Sequence, residues 1–130
     1  MKSFKLKEGR RSFTYPDKWE VEDSGTVISI YDSKNGVGAL QLSVYDVPNP
    51  SSISLKDELE EFVKGRHLEC SVSYREKFSY CSCLEAQTKS YWRYWMFFAG
   101  GTVVFGTYNC DIKNIDVEKE IVDEIISSAL

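Results

Sequence analysis

The most reactive feature of the sequence is a pair of cysteines, Cys81 and Cys83, separated by one residue in a segment rich in strand-forming side chains. In an extended strand both thiols point to one face, with β-carbons roughly 7 Å apart, whereas a disulfide needs about 3.8 Å. A bond within the pair is therefore not expected. The two thiolates could instead bind a soft metal such as zinc, with Cys70, Cys110 or His67 completing the ligands.

The spacing of this pair is unlike that of a zinc knuckle, which places two to four residues between paired ligands, and the sequence has no second pair. We therefore interpret Cys81 and Cys83 as two small side chains on a strand face. A thiol or zinc site on them is an alternative. Free, buried thiols are the default for the four cysteines of the chain, as in a reducing cytosol.

Catalytic chemistry has little support in the sequence. The single histidine, His67, follows Gly65 at the end of an expected helix, where a cation is favourable. A general base would need a neighbouring nucleophile or carboxylate, and the sequence places none there. There is no phosphate-binding loop, nucleophile elbow or zinc-protease motif. We therefore predict no catalytic residue, no cofactor and no metal, and a protein that is not an enzyme.

Composition indicates one soluble domain over residues 1–130. Hydrophobic residues make up 42% of the chain and aromatic residues 14%, which is enough to build a core. The net charge of −4 argues against nucleic acid or an anionic membrane as a partner. The first eleven residues carry charges at short intervals, unlike a secretory signal, and no segment is apolar enough to span a membrane. A cytoplasmic location is expected.

Two amphipathic helices are predicted. The first covers residues 55–65, with Ser54 as its N-cap and Gly65 as its stop. The second runs from about residue 117 to 129, capped by Asn114 or Asp116. Each helix has one apolar stripe, so each is expected to cover another element.

The first predicted hairpin joins residues 27–31 to residues 39–45. A two-residue turn would mix apolar and polar side chains on each face of this pair. A three-residue loop with Gly36 in the left-handed conformation instead places Ile30 opposite Leu40. Since a slip of one residue reverses every side chain, the hydrophobic match favours the three-residue loop.

The strongest predicted element is a hairpin of residues 91–99 and 102–110 around a Gly-Gly turn. Both of its faces are apolar in the middle, so we expect it to lie centrally and to be covered on both sides. The chain order is strands, helix, strands, helix. This order predicts an α+β domain, a mostly antiparallel sheet of six to seven strands with helices packed on its faces.

The register of this hairpin predicts two contacts. Trp95 falls opposite Gly106 and can shield its bare backbone. Arg93 falls opposite Tyr108, where its guanidinium could stack on the ring.

Several segments resemble the N-terminal half of PsbP-like domains: residues 13–19 (FTYPDKW), 28–30 and 38–44. Residues 106–110 and the acidic helix that follows are similar to small bacterial members of that superfamily, which includes the extrinsic protein of photosystem II and a Ran-binding import factor. The resemblance implies an α/β/α sandwich. It also implies a role in binding proteins without a shared catalytic residue.

The first functional hypothesis is a bacterial accessory module that binds a protein, whose identity and oligomeric state the sequence does not give. Tyr91, Trp92 and Tyr94 are the candidate partner-binding residues, on the condition that they are exposed. The alternatives are a small-molecule binder or enzyme with an aromatic pocket, and the thiol or zinc site on Cys81 and Cys83.

Overall fold

A computed structural model of the chain describes residues 1–6 and 11–130. The helices are α1 (Leu55–Gly65) and α2 (Lys119–Ala129), and two short 3-10 turns lie at Pro50–Ser52 and Ile112–Asn114. The strands are β1 (Lys2–Lys5), β2 (Ser12–Tyr15), β3 (Glu20–Asp23), β4 (Val27–Tyr31), β5 (Gly38–Asp46), β6 (Ser73–Arg75), β7 (Phe78–Glu85), β8 (Ser90–Ala99) and β9 (Thr102–Asp111).

Seven strands form one antiparallel sheet in the order β3-β4-β5-β9-β8-β7-β6, and β1 pairs with β2 in a separate two-stranded sheet. The predicted α+β class, with its mostly antiparallel sheet, is confirmed. In the described part of the chain, neither helix is long and apolar enough to cross a membrane.

The central hairpin of β8 and β9 has the predicted register, with Trp95 opposite Gly106 and Arg93 opposite Tyr108. A β-carbon added to Gly106 would lie 3.4 Å from the Trp95 ring, which confirms that the indole covers the glycine. Gly100 adopts a φ of 63°, the left-handed conformation that glycine accepts without strain.

The register of β4 with β5 is also confirmed, with Ile30 opposite Leu40. The predicted left-handed Gly36 is wrong, because this residue is not among those with positive φ. Instead, the Gly36 N–H donates to the Asp32 carbonyl oxygen at 3.0 Å. The Asp32 carboxylate accepts from the N–H groups of Asn35 and Lys34, and these bonds lower the pKa of Asp32.

The two faces of the large sheet are covered by different helices. On the α2 face, α2 and the β1–β2 hairpin bury one apolar cluster, which includes Phe13, Trp19, Ile30, Leu40, Trp95, Phe97, Val104, Tyr108, Val122, Ile125 and Ile126. On the α1 face, α1 covers β7 and β8 and buries a smaller cluster of Leu59, Val63, Cys81, Cys83 and Tyr94. Because successive side chains of β8 point to opposite faces of the sheet, this strand contributes residues to both clusters.

Helix α1 has the predicted bounds, and the Ser54 hydroxyl accepts from the Asp57 N–H at 3.3 Å. The helix ends at Gly65 as predicted, and the left-handed residue that follows it is His67, with a φ of 56°. Helix α2 begins at Lys119, later than predicted, and neither Asn114 nor Asp116 is its cap. Its N-cap is Glu118, whose side chain turns into the core instead of capping the helix.

We predict that Gly38→Ala destabilises the protein by about 3 kcal/mol, the upper end of overpacking costs. A β-carbon at Gly38 would overlap the backbone carbonyl oxygen of Asn109 and lie 2.8 Å from the Tyr108 ring. The backbone of β9 cannot move aside without loss of its pairing with β5. Urea denaturation measures the effect. Gly101→Ala is the matched control, since a β-carbon there meets no atom within 4 Å. Equal stability of both variants would contradict the prediction.

Candidate functional site

The structure places the three predicted partner-binding residues in different surroundings. Tyr91 lies on the α2 face with 8% of its surface exposed, and Tyr94 lies on the α1 face with 6% exposed. Burial raises the pKa of Tyr91 to about 12. The condition of exposure is therefore not met by these two residues, because β8 is central and covered on both faces. Trp92 is half-buried, so it is the residue of the three whose side chain a partner could contact.

Trp92 begins a row of aromatic rings on the α1 face. Its ring stacks on Tyr94 with centroids 5.9 Å apart, and Tyr94 stacks on Phe105 of β9 at 6.1 Å. Phe62 of α1 meets both Tyr94 and Phe105 edge-on, at 5.1 and 4.9 Å. These separations are those of favourable aromatic pairs. The row of rings thus extends from Trp92 to Phe62 on α1.

At the end of this row, the edge of α1 and the uncovered part of the sheet enclose a cavity of about 320 Å³. We call it the apolar groove. Tyr45 of β5 lies at its mouth and is 54% exposed. Its lining residues are Tyr45, Val47, Ile53, Glu58, Phe62, Arg66, Met96, Val103 and Phe105.

The charged side chains of the apolar groove are Glu58 and Arg66, both exposed. The Arg66 guanidinium lies 4.9 Å from the centroid of the Phe62 ring, a cation–π contact that holds it over the groove. The groove therefore offers an apolar floor with one acidic and one basic group at its rim.

Sequence reasoning missed this groove. Its floor comes from the β8–β9 hairpin and from β5, and β5 becomes a neighbour of β9 only through the order of strands in the sheet. One signal was present in the sequence of β5. Gln41 and Ser43 make the outward face of this strand polar, whereas Tyr45 on the same face is aromatic. Tyr45 pairs with Val103, which extends the apolar surface of the β8–β9 hairpin.

The cysteines form a second cluster, under the other side of α1. Cys70 and Cys83 are joined by a disulfide with α-carbons 5.3 Å apart, an ordinary separation for such a bond. The expectation of free thiols is therefore wrong for these two. It holds for Cys81 and Cys110, which are free and buried.

Three sulfur atoms, those of Cys70, Cys81 and Cys83, lie within 4.8 Å of one another. We call this group the three-sulfur cluster. The strand pairing explains it, since Cys81 and Cys83 lie opposite Tyr94 and Trp92 and share the α1 face. After α1 the chain turns back toward the sheet, and this places Cys70 next to Cys81 and Cys83.

The other proposed ligands are elsewhere. Cys110 pairs with Tyr91 and belongs to the α2 face, and His67 is exposed at the end of α1, outside the cluster. Burial raises the pKa of the Cys81 thiol to about 11, so this thiol is protonated at neutral pH.

Two polar contacts, one of them fully buried, attach α2 to the sheet. Arg93 is 4% exposed, and its guanidinium pairs with Asp123 and donates to the Tyr80 hydroxyl oxygen at 3.0 Å. The predicted stacking on Tyr108 is wrong, because the guanidinium lies over Trp95 and Tyr80, at 4.6 and 5.2 Å. Tyr80, Arg93, Trp95 and Asp123 also line a shallow cavity of about 240 Å³ beside α2.

Tyr108 makes the second of these polar contacts. Its hydroxyl donates to a Glu118 carboxylate oxygen at 2.7 Å, and both residues are buried. The other Glu118 oxygen accepts from the Val37 N–H at 3.4 Å. Burial, followed by this bond, raises the pKa of Tyr108.

Comparisons with known proteins bear on the fold. No family model matches the chain, and no curated protein matches its sequence. Two solved structures superpose on 98% of it: a protein of Bacteroides thetaiotaomicron VPI-5482, with a TM-score of 0.67 and 18% identity, and the cyanobacterial PsbP of Synechocystis sp. PCC 6803, with a TM-score of 0.65 and 13% identity. The chain spans 47% of the Bacteroides protein and 89% of the cyanobacterial one. The fold is PsbP-like, as the sequence resemblance predicted.

Reduction of the disulfide should destabilise the protein. Cys70 and Cys83 are 13 residues apart, and a loop of about that size contributes roughly 3 kcal/mol by restricting the unfolded chain. We expect urea denaturation to shift to lower urea when a phosphine reductant is added. Cys70→Ser is the control, because its stability should not respond to the reductant. If the urea midpoint of the wild type did not change on reduction, the disulfide would contribute nothing to the free energy of unfolding.

Cys81 should react slowly with iodoacetamide. A pKa of about 11 leaves roughly a hundredfold less thiolate at pH 8 than an ordinary thiol with a pKa near 9. Since deprotonation creates the nucleophile, labelling of the folded protein should rise about tenfold per pH unit between pH 8 and 10. Peptide mass spectrometry measures the rate at Cys81, with urea-unfolded protein as the reference. A rate that levels off by about pH 9 would argue against the raised pKa.

Proposed function

We propose that the protein is a non-enzymatic binding module and that its partner is another protein, which inserts an apolar segment into the apolar groove. The observation that carries this proposal is the set of incompletely buried aromatic and methionine side chains along the groove, chiefly Tyr45, Phe62, Met96 and Phe105.

The lining of the groove has the composition of a protein interface. Aromatic residues, Met and Arg are enriched at such interfaces, and Tyr and Arg often carry a large share of the binding energy. Tyr45 offers a large surface at low cost in conformational entropy, because its side chain has two rotatable bonds. Glu58 and Arg66 at the rim supply one acceptor and one donor for polar groups that flank an apolar segment.

Enzymatic activity has less support. Catalysis by acid and base needs titratable groups placed together around a reacting atom. Within the residues that the structure describes, the groove lining contains Glu58 and Arg66 as its charged groups and no histidine or cysteine. The protein-binding role that the PsbP-like resemblance implies agrees with this proposal.

The partner's contact is expected to extend from the groove to Trp92. The aromatic row leads from Phe105 through Tyr94 to Trp92, which is half-buried. Trp92 thus remains a predicted partner-binding residue, and the neighbouring Tyr94 ring packs against it.

A small molecule is the second candidate occupant. The volume of about 320 Å³ lies at the lower end of the range for small-molecule pockets. The groove favours a protein segment because Tyr45 at its mouth is largely exposed, whereas small-molecule sites bury most of their ligand.

The cellular compartment is a further part of the proposal. The Cys70–Cys83 disulfide favours an oxidising compartment over the cytoplasm, because such bonds rarely persist in a reducing cytosol.

A substitution at the mouth of the groove tests the proposal. Tyr45→Glu places a charge on an exposed position, so the fold should be retained while an apolar segment is repelled. In affinity capture from the organism that encodes the protein, the wild type should retain a stoichiometric protein partner. Tyr45→Glu should weaken retention by at least about tenfold, the loss expected for an interface anchor.

Tyr74→Glu is the matched control, since Tyr74 is also 54% exposed but lies on β6, outside the groove. It should bind the partner like the wild type. Capture that is lost equally in both variants, or that survives Tyr45→Glu, would refute the docking site. Native mass spectrometry separates the alternatives, because a bound non-protein mass lost on Tyr45→Glu would favour a small molecule.

A further inference from the structure

The geometry points to a metal site in the reduced protein: the three-sulfur cluster of Cys70, Cys81 and Cys83 binds one Zn²⁺ ion. The observation is the convergence of three cysteine sulfurs within 4.8 Å of one another. They come from two parts of the chain, the segment after α1 and strand β7.

The spacing of the sulfurs suits zinc. Zn–S bonds of about 2.3 Å in tetrahedral geometry place ligand sulfurs about 3.8 Å apart. The cluster already holds its sulfurs within 4.8 Å, so small side-chain movements suffice. When the Cys70–Cys83 bond is reduced, its two sulfurs must separate to van der Waals contact, which is close to the ligand spacing.

The surroundings of the cluster shield it from solvent. Leu59, Val63 and Tyr94 pack around the buried cysteines Cys81 and Cys83. A metal ion bound there would deprotonate the coordinating thiols through its positive charge. Three thiolates and Zn²⁺ together carry a single negative charge.

The cluster is reached from the surface on the side of Cys70. Cys70 is half-buried and lines a shallow depression of about 510 Å³ together with Glu60 and Lys64. Among residues 1–6 and 11–130, no histidine or carboxylate joins the three sulfurs, so a water from this depression would complete the tetrahedron. Zinc sites with three protein ligands and water keep such an open position.

Formation of the site follows a balanced sequence. A phosphine or dithiol reductant gives two electrons to the Cys70–Cys83 bond, which takes up two protons and becomes two thiols. Zn²⁺ then replaces the protons of the three thiols, which pass to the buffer, and zinc itself undergoes no redox change. The oxidised protein has Cys81 as its sole free thiol in the cluster, so it lacks the site.

Cobalt substitution tests the inference, with Co²⁺ as a spectroscopic substitute for Zn²⁺. We expect the phosphine-reduced protein to bind one Co²⁺ per chain, with thiolate-to-cobalt charge-transfer bands and the intense visible bands of a tetrahedral ion. Zn²⁺ should displace the cobalt and bleach these bands. The oxidised protein should show none of them. Absence of stoichiometric binding by the reduced protein, or equal binding by the oxidised protein, would overturn the inference.

Variants identify the ligands. Cys81→Ser and Cys70→Ser should each weaken metal binding by more than about tenfold, because even second-shell changes cost that much. Cys110→Ser is the control, since Cys110 is also buried but lies on the other face of the sheet. It should bind cobalt like the wild type. If the core variant Cys81→Ser does not fold, the half-buried Cys70→Ser decides. Unweakened binding by Cys70→Ser, or equal weakening by Cys110→Ser, would overturn the inference.

Discussion

The hairpin of β8 and β9 has an apolar middle on both faces, and its neighbours are arranged to cover it. Trp95 and Phe97 point to the α2 face, while Tyr94 and Met96 point to the α1 face. Covering one face alone would leave large aromatic surface in water, at a cost of about 25 cal/mol per Å². The sheet therefore lies between α2 with the β1–β2 hairpin on one side and α1 on the other. The apolar groove lies where the cover given by α1 ends.

Two buried side chains of this hairpin, Arg93 and Tyr108, fix the position of α2. Arg93 pairs with Asp123 in the middle of the helix, and Tyr108 donates to Glu118 at its start. A buried guanidinium without a partner is strongly destabilising, so the position of α2 along the sheet is restricted by polar contacts as well as by apolar packing. These contacts explain why α2 begins at Lys119. Glu118 is committed to Tyr108 and does not extend the helix toward its predicted start.

The sequence predicted those parts of the structure in which one local pattern decides the outcome. The Gly-Gly turn was sufficient for the register at Trp95. Hydrophobic matching was sufficient for the register at Ile30, because a slip of one residue would reverse the two faces of that hairpin. Contacts that depend on the order of the strands in the sheet could not be predicted from a local pattern. Tyr45 reaches the groove because β5 pairs with β9, and Cys70 reaches Cys83 because the chain folds back after α1. Neither contact leaves a periodic signal.

Both candidate sites depend on the placement of a single helix. Phe62 of α1 forms one wall of the apolar groove, while Leu59 and Val63 cover the three-sulfur cluster. The Cys70–Cys83 bond ties the segment that follows α1 to β7 and so limits how far the helix can move from the sheet. Since the groove is bounded by α1 on one side and by strands on the other, its width depends on the same restraint. The disulfide and the proposed binding surface are thus linked through α1, which packs between them.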